Sequence, residues 1–183
     1  MTPPFVNFSD VSSDLAILFI CGCLEPGADG VGDYTRRLAA EAARNGFSVG
    51  CLALNDRKQP RAPLAIEPIV DQEQDTSFFL WRFSSQVPWQ QRSEAARKLV
   101  EEFKPQRISL QFVPTSFDLK GLPFRLLECV RHLLKACPAE RWQIMFHELW
   151  LGVEGSDTFK RRVGGRLQQS LLLSLLRMLR GAV

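Results

Sequence analysis

The sequence predicts an α/β fold: a parallel sheet flanked by helices. Three observations predict it. Leu15-Ala-Ile-Leu-Phe-Ile-Cys21 is an unbroken apolar run of strand length, and continuous rather than alternating apolarity means burial on both faces, as at the centre of a parallel sheet. That run passes through a glycine-punctuated turn into helical spacing. Strand-like and helix-like stretches then alternate along the chain, the pattern of repeated βα units.

Taken in order, residues 1–14 carry two prolines and a polar cluster and read as a loose leader. After the strand at Leu15–Cys21, the turn Glu25-Pro-Gly-Ala-Asp-Gly-Val-Gly-Asp33 holds three glycines. From Asp33 a helix is expected, with Tyr34, Leu38, Ala42 and Ala43 recurring at helical spacing and Asn45-Gly46 as its stop. Phe47–Leu54 is a second strand and Asn55–Pro63 a polar loop. Leu64–Val70 and Phe78–Phe83 read as shorter strands. Pro88–Lys104 is a helix ended by Lys104-Pro105. Arg107–Val113 is a strand and Pro114–Lys120 a loop. Gly121-Leu-Pro123 opens a helix running towards Ala136, with proline near its first turn. Trp142–His147 is the last strand, and a helical pattern spans about Phe159–Leu179.

The 183 residues are 45% hydrophobic and 23% charged, which suits one globular domain with a core of its own. The five cysteines are an odd number, and Cys21-Gly-Cys23 lacks the second pair that would complete a zinc site. Free thiols in a reducing cytoplasm follow, with no metal and no cofactor expected. The net charge of +3 is uneven. Six basic residues (Lys160, Arg161, Arg162, Arg166, Arg177, Arg180) and no acid fall after Asp157, so the first 157 residues carry −3. A uniform nucleic-acid-binding surface is not indicated.

In an open parallel sheet, ligands bind beyond the carboxyl ends of the strands. Three loops leave such ends. In the first, Gly27, Gly30 and Gly32, with Asp29 and Asp33, precede a helix N-terminus that offers free N–H groups to an anion. Their spacing is neither G-x-G-x-x-G nor a Walker A loop, and a flexible turn would look the same. In the second, Thr115, Ser116, Asp118 and Lys120 suit hydrogen bonding to a polyol, although a plain loop with an Asx turn also fits. The third is His147-Glu148, followed by Leu149-Trp150. His147 can donate, accept or titrate, and Glu148 can act as a base; a hydrogen-bonded core histidine is the alternative. His132, among charged residues in mid-helix, reads as a surface side chain.

Three ordered motifs resemble one family. Pro26-Gly-Ala-Asp-Gly-Val-Gly-Asp-Tyr-Thr-Arg-Arg-Leu-Ala39 with Gly46-Phe-Ser-Val49, then Leu110-Gln-Phe-Val-Pro114 with Leu119-Lys-Gly-Leu-Pro123, then Met145-Phe-His-Glu-Leu-Trp150 are similar to the N-terminal domain of GT-B glycosyltransferases of the family 4 type. The resemblance covers roughly residues 15–180 and implies a Rossmann-like domain, the acceptor-side half of a two-domain hexosyltransferase. It implies Gly27, Asp29, Gly30, Gly32 and Asp33 beside the donor diphosphate and His147 and Glu148 as catalytic groups. It also implies Thr115, Asp118 and Lys120 at the acceptor, with a nucleotide-sugar donor and a glycosyl acceptor as partners. The family continues into a donor domain where this sequence stops, so the expectation is a truncated unit, inactive without a separate donor domain or subunit.

Two other readings remain open on the residues alone. One is a stand-alone, non-catalytic binding module, with the leucine-rich C-terminal helix as a docking face. Residues 158–180 also fit peripheral contact with an anionic membrane, hence a cytoplasmic protein at the inner membrane surface. The other is a dinucleotide-dependent oxidoreductase. That needs an acid at the end of the second strand, which Asp56 would supply, but the glycine spacing is wrong for it.

Overall fold

A computed structural model describes residues 14–60, 69–73, 76–149 and 159–180. They form a Rossmann-like α/β sandwich. Strands β1 (Ile17–Cys21), β2 (Val49–Asp56), β3 (Ile69–Glu73), β4 (Thr76–Ser84), β5 (Arg107–Phe112) and β6 (Trp142–Phe146) make one sheet in the order β3-β4-β2-β1-β5-β6. Five strands are parallel. β3 is the exception, pairing antiparallel with β4 at one edge.

Alternation along each strand assigns side chains to two faces. Leu18 and Ile20 of β1, Leu52 and Leu54 of β2, Trp81 and Phe83 of β4, and Ile108, Leu110 and Phe112 of β5 join one buried cluster. Helices α2 (Trp89–Phe103), α4 (Phe124–Leu133) and α5 (Phe159–Arg180) cover it, through Leu99, Leu126, Leu172 and Leu175 among others. Phe19, Cys21, Cys51, Ala53, Phe78 and Leu80 form the second cluster under Ala39 and Ala40 of helix α1 (Gly30–Arg44). All eight residues of β2 are buried, which is why its sequence does not alternate. Gly50 in that strand gives up its side chain to the indole of Trp81; a Cβ there would lie 2.6 Å from the ring.

Several boundaries differ from those expected. α1 starts at Gly30, not Asp33, because Asp29 caps it: its carboxylate accepts the Val31 N–H at 3.0 Å. Two of the loop glycines therefore belong to the helix. β2 ends at Asp56 rather than Leu54, since the polar pair Asn55-Asp56 stays in the sheet, 7% and 0% exposed. The expected loop Pro114–Lys120 contains a single helical turn, α3 (Pro114–Phe117). Of the strand expected at Leu64–Val70, only 69 and 70 are described, and they belong to the antiparallel edge strand. Residues 1–13 of the expected leader, and Trp150, lie outside the described residues. No helix among the described residues is long and apolar enough to cross a membrane.

Candidate functional site

The strand order reverses at β1: β2 and then β4 lie on one side, β5 and β6 on the other. Such a reversal opens a crevice at the carboxyl edge of the sheet. Here the loops leaving β1 and β5 meet closely. A Cβ at Gly22 would lie 2.5 Å from the Cβ of Ser116, and the Asn55 side chain donates to the Ser116 and Phe117 carbonyls at 2.9 and 3.2 Å. Beside this contact is a cleft of about 260 Å³ whose walls include Cys23, Asp29, Asn55, Arg57, Thr115 and Ser116.

The glycine loop is built around two aspartates. Asp29 receives the Val31 N–H with one oxygen and the Ser116 hydroxyl, at 3.2 Å, with the other. Asp33 accepts the Gly27 N–H at 2.9 Å, which closes a turn in which Gly27 has φ +72°. The three glycines do different jobs. Gly27 supplies the left-handed backbone. Gly32 lets α1 approach the β1 loop, since a Cβ would meet the Cys23 carbonyl oxygen at 2.5 Å. Gly30 borders open space, with nothing within 4 Å of a Cβ. The Gly30 and Gly32 amides make no hydrogen bond among the described residues.

His147 follows β6, and its N–H donates to the Phe112 carbonyl at 3.1 Å. Its Nε2 lies 2.9 Å from Gln111 Oε1. Gln111, 1% exposed, donates its own amide to Ser109 Oγ at 2.8 Å. With the Gln111 amide turned to Ser109, its oxygen faces the ring and accepts from Nε2 in the Nε2–H tautomer. Nδ1 makes no hydrogen bond among the described residues. The ring packs edge-on against Tyr34 of α1, with centroids 5.2 Å apart. Gly30 and Tyr34 are four residues apart on α1 and so share a face. His147 thus flanks the exposed start of α1, but it does not line the Thr115–Asp29 cleft. The three sequence motifs occupy one sheet edge in two neighbouring sites, not one.

Of the remaining expected residues, Thr115 is exposed, lines the cleft, and has its carbonyl held by Arg57 Nη2 at 2.8 Å. Asp118 is committed to its own turn, accepting the Lys120 and Leu122 N–H groups at 2.9 and 3.2 Å. Lys120 and Glu148 are exposed. His132 is exposed on α4, as expected. Among the described residues, no group of three His, Cys, Asp or Glu is placed to hold a metal ion.

Three residues that organise this edge were not singled out for that role. Arg57 was hidden in what reads as a polar loop. Arg92, 2% exposed, donates from Nη1 to the Leu54 carbonyl at 2.6 Å and to Asn55 Oδ1 at 2.8 Å, and stacks 4.1 Å over Trp89. Burial lowers its pKa to about 10. Arg82 donates from Nε to Asp56 at 2.7 Å and also pairs with Glu25. A cation on an otherwise apolar helix face and a polar pair ending an apolar strand are the signals that mark such residues.

Asp56 takes Leu24 N–H and Arg82 on one oxygen, and Lys58 N–H, Gln59 N–H and the Cys23 thiol on the other. Fully buried and so occupied, it has no oxygen left for a ribose hydroxyl. The dinucleotide reading fails here. The five cysteines are free, and burial pushes the Cys23 thiol up to about 11. No protein-family model and no curated protein matches this chain.

Proposed function

We propose that this Rossmann-like unit is the acceptor-side domain of a glycosyltransferase that moves a sugar from a nucleotide-sugar donor to a glycosyl acceptor. The observation that carries this reading is the pairing of the exposed α1 N-terminus with His147, held by Gln111 and Tyr34 on the same sheet edge. The free amide of exposed Gly30 and the positive end of α1 complement a departing diphosphate. His147 Nδ1 accepts a hydrogen bond from a sugar hydroxyl, and exposed Glu148 stands next to it in sequence as a base. Thr115 and Lys120 border the acceptor. Asp29 and Asp33 already satisfy neighbouring amides, so they shape the loop and do not touch phosphate.

A single sheet supplies one wall of such a site, and a donor-binding domain or subunit supplies the other. In this reading the protein works in the cytoplasm at the inner membrane surface. The test is equilibrium binding of UDP-glucose and GDP-mannose to the wild-type chain, Gly30→Ala and His147→Ala. Weak, saturable binding that both substitutions reduce supports the proposal. Binding that neither changes, or no binding of any nucleoside diphosphate sugar, overturns it and favours the second reading, a non-catalytic interaction module. That second reading rests on the basic, acid-free surface of α5.

A further inference from the structure

The long helices of this fold manage their charge in two ways. α1, α2 and α4 each carry acids among their cations, and some of these pair one turn apart: Arg44 with Glu41, Arg97 with Glu94 and Glu101, Arg125 with Glu128, while Arg37, Lys98 and Arg131 are exposed without an ion pair among the described residues. Such i, i+3 and i, i+4 pairs are the ordinary dressing of a solvated helix face. α5 departs from this. Its 22 residues include no acid. Arg166, Arg177 and Arg180 are exposed and make no ion pair among the described residues.

The orientation of α5 is set by its buried side. Leu171, Leu172 and Leu175 enter the core, and Gln168, 4% exposed, packs against Gly121. The opposite side therefore faces outward, and it is not purely polar. Val163 (41%), Leu167 (44%) and Leu173 (44%) stand exposed among the arginines. Lys160, Arg161 and Arg162 raise the charge of the first turn of the helix further.

We propose that the outer face of α5 docks on an anionic lipid surface, with the arginines at the headgroups and Val163, Leu167 and Leu173 entering the interface. Charge complementarity selects the occupant. A basic face with no acid attracts an anionic surface, and apolar side chains set among the cations fit a lipid interface better than a phosphate backbone. The fold holds this helix from behind, so docking needs no unfolding. The proposal stands independently of any sugar chemistry.

The test is co-sedimentation of the full chain with phosphatidylcholine vesicles, with and without phosphatidylglycerol. Binding is expected only with the anionic lipid and declines with added salt. Arg166→Gln with Arg177→Gln is expected to weaken it about 25-fold, at roughly fivefold per arginine. Leu173→Ser is expected to weaken it about four- to thirteenfold, from half the transfer energy of a leucine. Thermal unfolding shows whether each variant is folded; all three positions are exposed. Equal binding to neutral vesicles, no binding to either, or binding unchanged in the folded arginine variant overturns the proposal. A DNA duplex binding where anionic vesicles do not overturns it in favour of nucleic acid.

Discussion

Replacing Asp56 by asparagine changes one charge and almost no volume at the point where β1, β2 and β4 end together. The cost follows from the donors around it. One carboxylate oxygen receives Leu24 N–H (3.2 Å) and Arg82 Nε (2.7 Å); the other receives Lys58 N–H (2.9 Å), Gln59 N–H (3.2 Å) and the Cys23 thiol (3.4 Å). An amide has one acceptor oxygen, so either orientation turns an NH2 group towards at least two donors. Keeping the oxygen on Arg82 strands the Lys58 and Gln59 amides. Each stranded donor costs about 1–3 kcal/mol, and the low end applies because water reaches exposed Lys58. The expected loss is about 2–4 kcal/mol, a large part of the roughly 5–15 kcal/mol that holds a domain folded. Urea unfolding followed by tryptophan fluorescence measures it as a lower midpoint at unchanged slope.

The pH dependence provides the second arm. Burial raises the Asp56 pKa, but the Arg82 hydrogen bond and the backbone amides outweigh it and hold the carboxyl below its ordinary value. A carboxyl depressed on folding stabilises fully above its unfolded pKa, near 4, and that contribution is lost as pH falls through the folded value. The gap between wild type and Asp56→Asn is therefore expected to narrow below about pH 4. A loss under about 1 kcal/mol at neutral pH, set against the stranded-donor cost, would refute the reasoning. So would a gap that stays constant into acid.

Two glycines give opposite outcomes in the same helix. Gly30→Ala enters open space and is expected to raise stability by up to about 1 kcal/mol, whereas Gly32→Ala drives a methyl into the Cys23 carbonyl and is expected to cost about 1–3 kcal/mol. Thermal melts of the two variants side by side check this, and equal shifts would contradict it. With its thiol pushed up to about 11 by burial, Cys23 is expected to react with iodoacetamide at pH 8 about two orders of magnitude more slowly than a free thiol, read by mass spectrometry after quenching. His147→Ala leaves buried Gln111 Oε1 without its donor and is expected to cost about 1–2 kcal/mol in urea, while Glu148→Ala, at an exposed position, leaves the midpoint in place.

The fold was legible where burial alone decides structure. β1 and the apolar part of β2 read directly because strands covered on both faces run apolar, and β5 from the alternation of Ile108, Leu110 and Phe112 with Ser109 and Gln111. The helices read from their periodicity and stops. The start of α1 was misjudged because glycine argues for a loop, while the Asp29 cap that holds the helix is visible only once Val31 is seen to donate to it. The antiparallel edge at β3 carries no signal in the sequence, since a reversal of direction does not change which residues are apolar. Within the candidate site, the residue types at strand ends identified the edge correctly. What composition could not supply was distance. The cleft takes Thr115 and Asp29, whereas His147 pairs with Gln111 and Tyr34 beside it. The charges Asp56, Arg82 and Arg92 were invisible as a group because their charged and side-chain partners lie 26 to 57 residues away.

The account stands most directly on where a nucleotide sugar meets the sheet edge. Titrating the ¹⁵N-labelled chain with UDP-glucose and with GDP-mannose, and following backbone amide shifts, tests that location. The predicted result is saturable movement at Gly30, Gly32, Tyr34 and His147, abolished by His147→Ala, with the amides of α2 and α4 unmoved. Shifts confined to α5 or scattered over the surface, or none at millimolar ligand, would contradict it.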